Sequence, residues 1–407
     1  MIAIGVDISK DFFNVCAVDE RLNILHKKSL PMNQEGFFSF SKIVSSFSNP
    51  VIALESSGKY HIPLLCFLSS LRVKVCLVNP KAIKNFSKII FPSTPSKTDR
   101  KDAFIIACFI IKHPDLVAKH AIAEEIKVLA RQIESISCEI SQVKTKIKDL
   151  IFVLFPEAER HFNIFSLWFL KIIRKYPSSK AIAKASANSI NKIIRKSSRG
   201  RKPTAGPLDI IELAKNSIGI RNKGFEVSLV FYIDKLLFLD SQLELLKKTF
   251  EDLIKERFFR QIEILCSIRG ISKILAGRLM AEIGSIKLFP SSRHFISYAG
   301  YDPVIKESGR WRQRMSISKQ GNLHLRNVLF QMAVMAIVYN PVFRVYFEKK
   351  RKSFGSYKKS VVAVINKLIR VIYAMLTREE KFDPSKVAPS CYIKVKSSME
   401  VNFDHAA

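Results

Sequence analysis

Residues 1–20 read MIAIGVDISK DFFNVCAVDE, and what they form decides the fold of the first part of the chain. Ile2, Ile4 and Val6 alternate along a run that stops near Asp7, the period-two pattern of a strand. Phe13 to Val18 gives a second strand, and after a turn at Asp19–Glu20 the run Leu22 to Leu30 gives a third. Working outward, Gln34 to Phe47 has helical spacing, and Pro50 to Leu54 is a short buried strand ending at Glu55. A helix over Gly58 to Leu71, a strand over Val73 to Val78 and a helix over Pro80 to Ile90 follow. Phe91 to Lys97 holds two prolines and two serines and reads as a loop, and a further helix runs from Thr98 to Lys112, ended by Pro114.

Three strands, helix, strand, helix, strand, helix is the order of a ribonuclease-H-like α/β fold, although periodicity alone leaves other α/β folds open. In such a sheet the ends of the first and fourth strands lie side by side, which brings Asp7 and Glu55 together. Asp99 and Asp102, in KTDRKDA, stand three apart at a helix start and face the same side. Each acid has an ordinary structural reading: a helix-dipole partner for Asp99 and Asp102, a turn cap for Glu55, a hairpin start for Asp7. Four of them fall at the functional ends of one fold, in a chain with only 35 acidic residues against 67 basic ones. Converging carboxylates are what hard divalent cations prefer, and two-metal phosphoryl chemistry holds such ions about 4 Å apart.

Beyond the sheet, Ile122, Ile126, Leu129, Ile133, Ile136, Ile140, Val143, Ile147, Leu150 and Leu154 recur at spacings of four and three, a heptad pattern that predicts a coiled-coil strand. Leu229, Ile233, Leu236, Leu239, Leu243, Leu246, Phe250 and Leu253 form a weaker partner, able to pair within one chain or across a dimer. A long amphipathic helix packed on a globular domain is the plainer alternative. Residues 156–224 give little pattern, apart from SSRGRKPTAGPL (197–208), an exposed basic loop. From about Ile262 to Asp383 the chain reads as a mostly helical domain opening with a helix–turn–helix pair around Gly270, where Ala276 and Gly277 permit close packing. The division is therefore an α/β domain over 1–115, a coiled-coil and linker region over 116–260, a helical domain over 261–385 and a tail over 386–407.

The formal net charge is +32, a self-repulsion that a polyanion relieves, and nucleic acid is the polyanion that fits. A genome with biased base composition accounts for part of the lysine excess but not for the scarcity of acids. The seven cysteines are scattered without a C-x-x-C pair, which argues against zinc and disulfides and fits a reducing, cytoplasmic setting. MIAIGVDISK is no signal peptide, and the apolar run Val328 to Val338 is too short to span a bilayer.

A second constellation lies in AGYDPVIKESGRWRQRMSISKQGNLHLR (299–326). Ser308 precedes a glycine and is followed by Arg310, Arg312, Arg314, Lys319 and Arg326. A serine hydroxyl can attack a DNA phosphate when cations stabilise the charge that builds on its oxygens, and the planar fork of arginine suits that task. On spacing alone a Ser-Gly turn beside a DNA-contacting strand accounts for the segment equally, and Ser316 and Ser318 are rival nucleophiles. Trp311 suits a core position better than a base stack. Lys349, Lys350, Arg351, Lys352, Lys358 and Lys359 form a second basic cluster between apolar helices, read as a phosphate-binding face.

Taken together, GVDISKD, ESSGKYH and KTDRKDA in the first part, and AGYDPVIKESGRW, SISKQGNLHLRNVL, NPVFRVYF and VVAVINKLIRVIYAML in the last, resemble the bacterial insertion-sequence transposases of the "IS one-ten" and "IS eleven-eleven" group, the DEDD transposases. The likeness covers most of the chain. It implies a RuvC-like N-terminal domain, a coiled coil and a C-terminal serine transposase domain. It implies that Asp7, Glu55, Asp99 and Asp102 bind Mg²⁺ and that Ser308 forms a covalent phosphoserine link to DNA. It further implies a structured bridge RNA that pairs with donor and target DNA, and a homo-oligomer whose subunits share active sites. Arg269-Gly270-Ile271-Ser272 stands where the family shows Pro-Gly-Ile-Gly, and residues 156–224 are longer than the pattern. A transposase acting by serine-mediated strand exchange is the leading reading. A RuvC-like nuclease whose serine only binds DNA, and a non-catalytic nucleic-acid-binding protein, are the alternatives.

Overall fold

The computed structural model describes residues 1–55, 59–71, 73–78, 80–90, 99–114, 124–197, 205–308 and 311–387. It forms two compact units, Met1–Ile122 and Ala123–Ala407.

In the first unit, β1 (Ala3–Ile8) and β2 (Phe12–Val18) are joined by a turn in which Ser9 N donates to Phe12 O (3.0 Å). So short a link makes them pair antiparallel, Ala3 opposite Val18 and Ile8 opposite Phe13. β3 (Ile24–Pro31) continues the meander on β2. α1 (Gln34–Ser45), capped by Asn33, crosses over to β4 (Val51–Glu55), which lies parallel to β1 with Val6 opposite Leu54. α2 (His61–Ser70) crosses to β5 (Lys74–Val78), parallel to β4. The strand order β3-β2-β1-β4-β5, with β2 antiparallel to its neighbours, is the ribonuclease-H topology expected from the element order. The strand alternation divides the core. Ile4, Val6, Phe13 and Val15 pack with Phe40 and Val44 of α1 and Leu64 and Leu68 of α2. Ala3, Cys16, Val18 and Ala53 face the opposite way, towards Ile83 of α3 (Pro80–Ile90) and Ile106, Ala107 and Ile110 of α4 (Asp99–Lys112). One detail departs from the sequence reading: β1 runs on to Ile8, so Asp7 lies within the strand, opposite Asn14, rather than at its end.

The second unit is built on α5 (Glu124–Leu154) and α11 (Lys223–Cys266), which pack along one another. Ile126, Ile133, Ile136, Ile140, Val143 and Ile147 are buried on α5, and Leu229, Ile233, Leu236, Leu239, Leu243 and Phe250 on α11. Near the ends of α5 the buried positions are Ala130 and Ile151, while Leu129 and Leu150 are only half-buried. Ile122 lies outside the described residues. Residues 156–224 fold into α6 (Ala158–His161), α7 (Leu167–Lys175), α8 (Ser179–Ile182), α9 (Ala187–Ser197) and α10 (Pro207–Lys215). Of the exposed loop expected over 197–208, residues 198–204 lie outside the described residues, while Ser197 ends α9 and Pro207 and Leu208 open α10.

α11 kinks at Phe258, and the turn after it places Gly270 at φ 101° against Met335 O, where a Cβ would approach to 2.7 Å. α12 (Lys273–Ile283) then packs on α11 through Gly277, whose Cβ would lie 2.5 Å from Ile254 Cδ1, the close approach that the glycine was expected to permit. α13 (Ser292–Tyr298), the hairpin β6 (Pro303–Ser308) and β7 (Trp311–Ile317), α14 (Leu323–Tyr339), α15 (Pro341–Phe354), α16 (Tyr357–Arg378) and α17 (Pro384–Val387) complete the unit. α16 is long and apolar enough to cross a membrane, but Val361, Val364, Ile365, Leu368, Ile369 and Ile372 are fully buried in the core of this unit. Of the tail, residues 388–407 lie outside the described residues.

Candidate active site

β1 and β4 are parallel neighbours whose last paired residues are Val6 and Leu54, so Asp7 and Glu55 follow in step at the same edge of the sheet. Both carboxyl-bearing side chains are half-buried. α4 begins at Asp99 and lies against β1 and β2. It crosses β1 at Gly5, where the Ala103 carbonyl and the Ala107 amide meet the strand backbone. Asp102, half-buried, is the residue before that contact. The side chain of Asp99 lies outside the described residues.

Carboxylate oxygens at adjoining strand ends and at the start of a crossing helix are the donors that suit a hard divalent cation. Among the described residues no three His, Cys, Asp or Glu side chains close around a common point. The donor chemistry suits a metal, but Asp7, Glu55 and Asp102 do not by themselves close around one point, and the side chain of the fourth acid, Asp99, is not described.

In the second unit Ser308 is the last residue of β6 and pairs with Trp311, and Glu307 pairs with Arg312. Arg310 and the side chains of Ser308, Trp311, Arg312, Arg314 and Ser316 lie outside the described residues. The base of the hairpin is held by several bonds. Ser318 N donates to Asp302 O (2.8 Å), Lys319 N to Gly300 O (3.2 Å), and Ser318 Oγ to Asp302 Oδ1 (2.6 Å). Ser318, a rival nucleophile by sequence, therefore has its hydroxyl engaged at the foot of the hairpin. Lys319 is exposed, at φ 52°. Arg326 is half-buried, and its Nη1 donates to Ala299 O (3.1 Å).

The second basic cluster gathers at one turn. Lys349, Lys350, Arg351 and Lys352 occupy the end of α15, Gly355 turns the chain in the left-handed region (φ 62°), and Lys358 and Lys359 open α16. Apart from half-buried Lys350, these cations are exposed. Lys350 lies over the rings of Tyr346 and Phe354 at 5.6 and 5.4 Å.

A polar network inside the second unit escaped the sequence reading. Glu282 of α12, only 4% exposed, accepts from Arg131 Nε (2.8 Å) and Nη2 (3.1 Å) of α5 and from Asn322 Nδ2 (2.7 Å). Asn322 also caps α14, accepting from Leu325 N (3.1 Å), just beyond the hairpin. Glu134 of α5 accepts from Asn327 Nδ2 (2.6 Å) and lies 3.0 Å from His324 Nδ1. Arg278 donates through Nη1 to Gln331 Oε1 (2.9 Å), while its Nη2 is ion-paired with Glu134 at 3.3 Å without hydrogen-bond geometry. Burial alone would raise the Glu282 carboxyl, but the bonds from Arg131 and Asn322 outweigh it and hold the group below the usual carboxylate range. The available signal was a glutamate inside the apolar run LMAEIG, since a buried charge requires partners.

Comparison with known proteins covers both units. Residues 4–156 match a family model described as "Transposase", and residues 262–348 match the model "Transposase IS116/IS110/IS902 family". The first interval holds Asp7, Glu55, Asp99 and Asp102, and the second holds Ser308. The chain is 23% identical to the pilin gene-inverting protein of Moraxella bovis, over 93% of this chain and 97% of that one. It is 25% identical to the mini-circle putative transposase for IS117 of Streptomyces coelicolor, over 94% and 95%. With the transposase for insertion sequence element IS1111A of Coxiella burnetii it shares 22% identity, over 93% and 90%. Among solved structures, T. thermophilus RuvC in complex with a Holliday junction substrate aligns at 14% identity and a TM-score of 0.22, over 28% of this chain and 95% of that one. With the two family models together matching more than half of its length, the chain belongs to the IS110/IS116/IS902 family of transposases, enzymes that cleave and recombine DNA.

Proposed function

We propose that the protein excises and inserts a mobile DNA element by strand exchange through a covalent serine intermediate, with Asp7, Glu55, Asp99 and Asp102 as the metal-binding carboxylates. The observation that carries the acidic half is the parallel pairing of β1 and β4, which brings Asp7 and Glu55 to one sheet edge next to the helix that begins at Asp99. Bound there, Mg²⁺ would draw charge from the phosphate oxygens and fix the DNA strand. Ser308 Oγ attacks the scissile phosphorus. One serine–phosphate ester forms, one P–O bond to a sugar breaks, and the departing sugar oxygen takes up a proton as the serine loses its own. Attack by a sugar hydroxyl of a second strand reverses the step, rejoins the DNA and frees the serine. Arg310, Arg312, Arg314 and Lys319 neutralise charge on the phosphate oxygens, and Arg326 supports the base of the hairpin.

The exposed turn from Lys349 to Lys359 serves as a backbone-binding face, and the net charge of +32 supports two polyanions, element DNA and a structured guide RNA. Self-association is supported by α11, where Phe231, Phe238 and Leu245, at seven-residue spacing, are 62%, 62% and 60% exposed on the side away from its buried stripe. In this reading the long helices serve as the coiled-coil region and residues 261–385 as the serine transposase domain of a cytoplasmic enzyme.

The test is excision in a bacterial host, scored as the rejoined donor junction. Wild type yields the junction, and Asp102→Asn and Ser308→Ala each reduce it at least 10²-fold. Junctions at wild-type frequency from either variant overturn the corresponding half of the assignment.

A further inference from the structure

Gly5 lies on the face of β1 that α4 covers, next to Ala3 of the same apolar cluster and two residues before Asp7. Its φ is not in the left-handed region, so its backbone conformation does not call for glycine. The space around it does. A Cβ at Gly5 would lie 2.1 Å from Ala103 O, 2.4 Å from Ala107 N and 3.0 Å from Ala107 Cβ. The first two atoms are helix backbone, which no rotamer change can move aside. The helix presents its smallest side chains there, Ala103 and Ala107, four residues apart and almost fully buried at 1% and 0% exposure. Strand and helix therefore touch backbone to backbone, one residue from Asp102 and two residues from Asp7.

We propose that Gly5 is a positioning residue of the acidic site: by letting α4 rest directly on β1, it sets the separation between Asp7 on the strand and Asp102 on the helix. This rests on the assignment of those acids as the metal-binding set. Restoring ordinary contact for a Cβ requires α4 to retreat by roughly 1.3 Å or more. Carboxylates spanning Mg²⁺ bond at about 2.1 Å with near-octahedral geometry, so they do not absorb such a shift, and a misplacement of about 1 Å can cost about 10²-fold in rate.

The experiment compares wild type, Gly5→Ala, Gly36→Ala and Asp102→Asn as full-length proteins. Gly36 is the matched control, since its Cβ would lie 1.8 Å from Pro31 O at the start of α1, which carries none of the four acids. Mn²⁺ binding is read by electron paramagnetic resonance without DNA, and the Mg²⁺ dependence of strand cleavage is read separately. Both glycine variants lose thermal stability, but only Gly5→Ala weakens Mn²⁺ binding, by at least tenfold, and raises the half-saturating Mg²⁺ concentration, with DNA affinity unchanged. Adding Asp102→Glu to Gly5→Ala, one methylene more reach, recovers part of the Mn²⁺ binding, which a folding defect would not allow. Should Gly5→Ala not fold, Ala107→Val presses the same contact from the helix side with less displacement and is read by the same criteria. Mn²⁺ binding in Gly5→Ala equal to that in Gly36→Ala overturns the inference while leaving the acids in place. Mn²⁺ binding unaffected by Asp102→Asn overturns the assignment of the acids, and the inference with it.

Discussion

Glu282 is the residue whose removal the second unit should feel most. It receives three N–H bonds from two elements while 4% exposed, and Glu282→Ala strands the Asn322 amide and the Arg131 fork. The Arg131 side chain is 40% exposed, so water recovers part of the loss. The expected cost is about 2 kcal/mol, below that of a fully buried pair, and urea unfolding at neutral pH measures it. Because the folded carboxyl is held below its ordinary range, its contribution is present at neutral pH and is lost as pH falls through the folded value. The stability of Glu282→Gln should accordingly fall less on acidification than that of wild type. The helix that carries Asp99 and Asp102 was legible in the sequence because the prolines and serines before it and the acids three apart mark its start. Glu282 was not, because its partners stand 151 and 40 residues away and nothing local announces them.

Among the elements, α5 shows how far a heptad can be read. The helix, its approximate length and its packing on α11 follow from the spacing, but near its ends Ala130 and Ile151 face inward in place of the heptad residues Leu129 and Leu150. Ile147, fully buried, and Leu129, half-buried, mark the two cases. Ile147→Ala should cost about 2–4 kcal/mol and Leu129→Ala clearly less, as read from denaturation midpoints. On α11, Phe238→Asp replaces an exposed ring, so it should leave the melting temperature nearly unchanged while lowering the mass seen by light scattering. An unchanged mass would remove α11 from the self-association surface. The helices between α5 and α11 were hard to read because two of them, α6 and α8, are single turns of four residues, too short to establish a period. The β-sheet order was legible because each crossover is short and each strand is bounded by turn residues.

For the whole molecule, charge is the property most directly tied to its partner. A net +32 with exposed cations gathered at the turn between α15 and α16 should give DNA affinity that falls steeply with salt. Replacing Lys349, Arg351, Lys352 and Lys358 with glutamine should flatten the log–log slope by about 3–4, as measured by fluorescence anisotropy across a salt series. The central claim, serine-mediated strand exchange assisted by the sheet-edge acids, is tested most directly by one gel. Purified protein is incubated with Mg²⁺, labelled element-end DNA and RNA transcribed from the element's flank, then denatured and resolved for a protein–DNA adduct. The account predicts an adduct that disappears in Ser308→Ala. Cleavage without any adduct, abolished instead by Asp102→Asn, would contradict it and leave the carboxylates as the cutting groups.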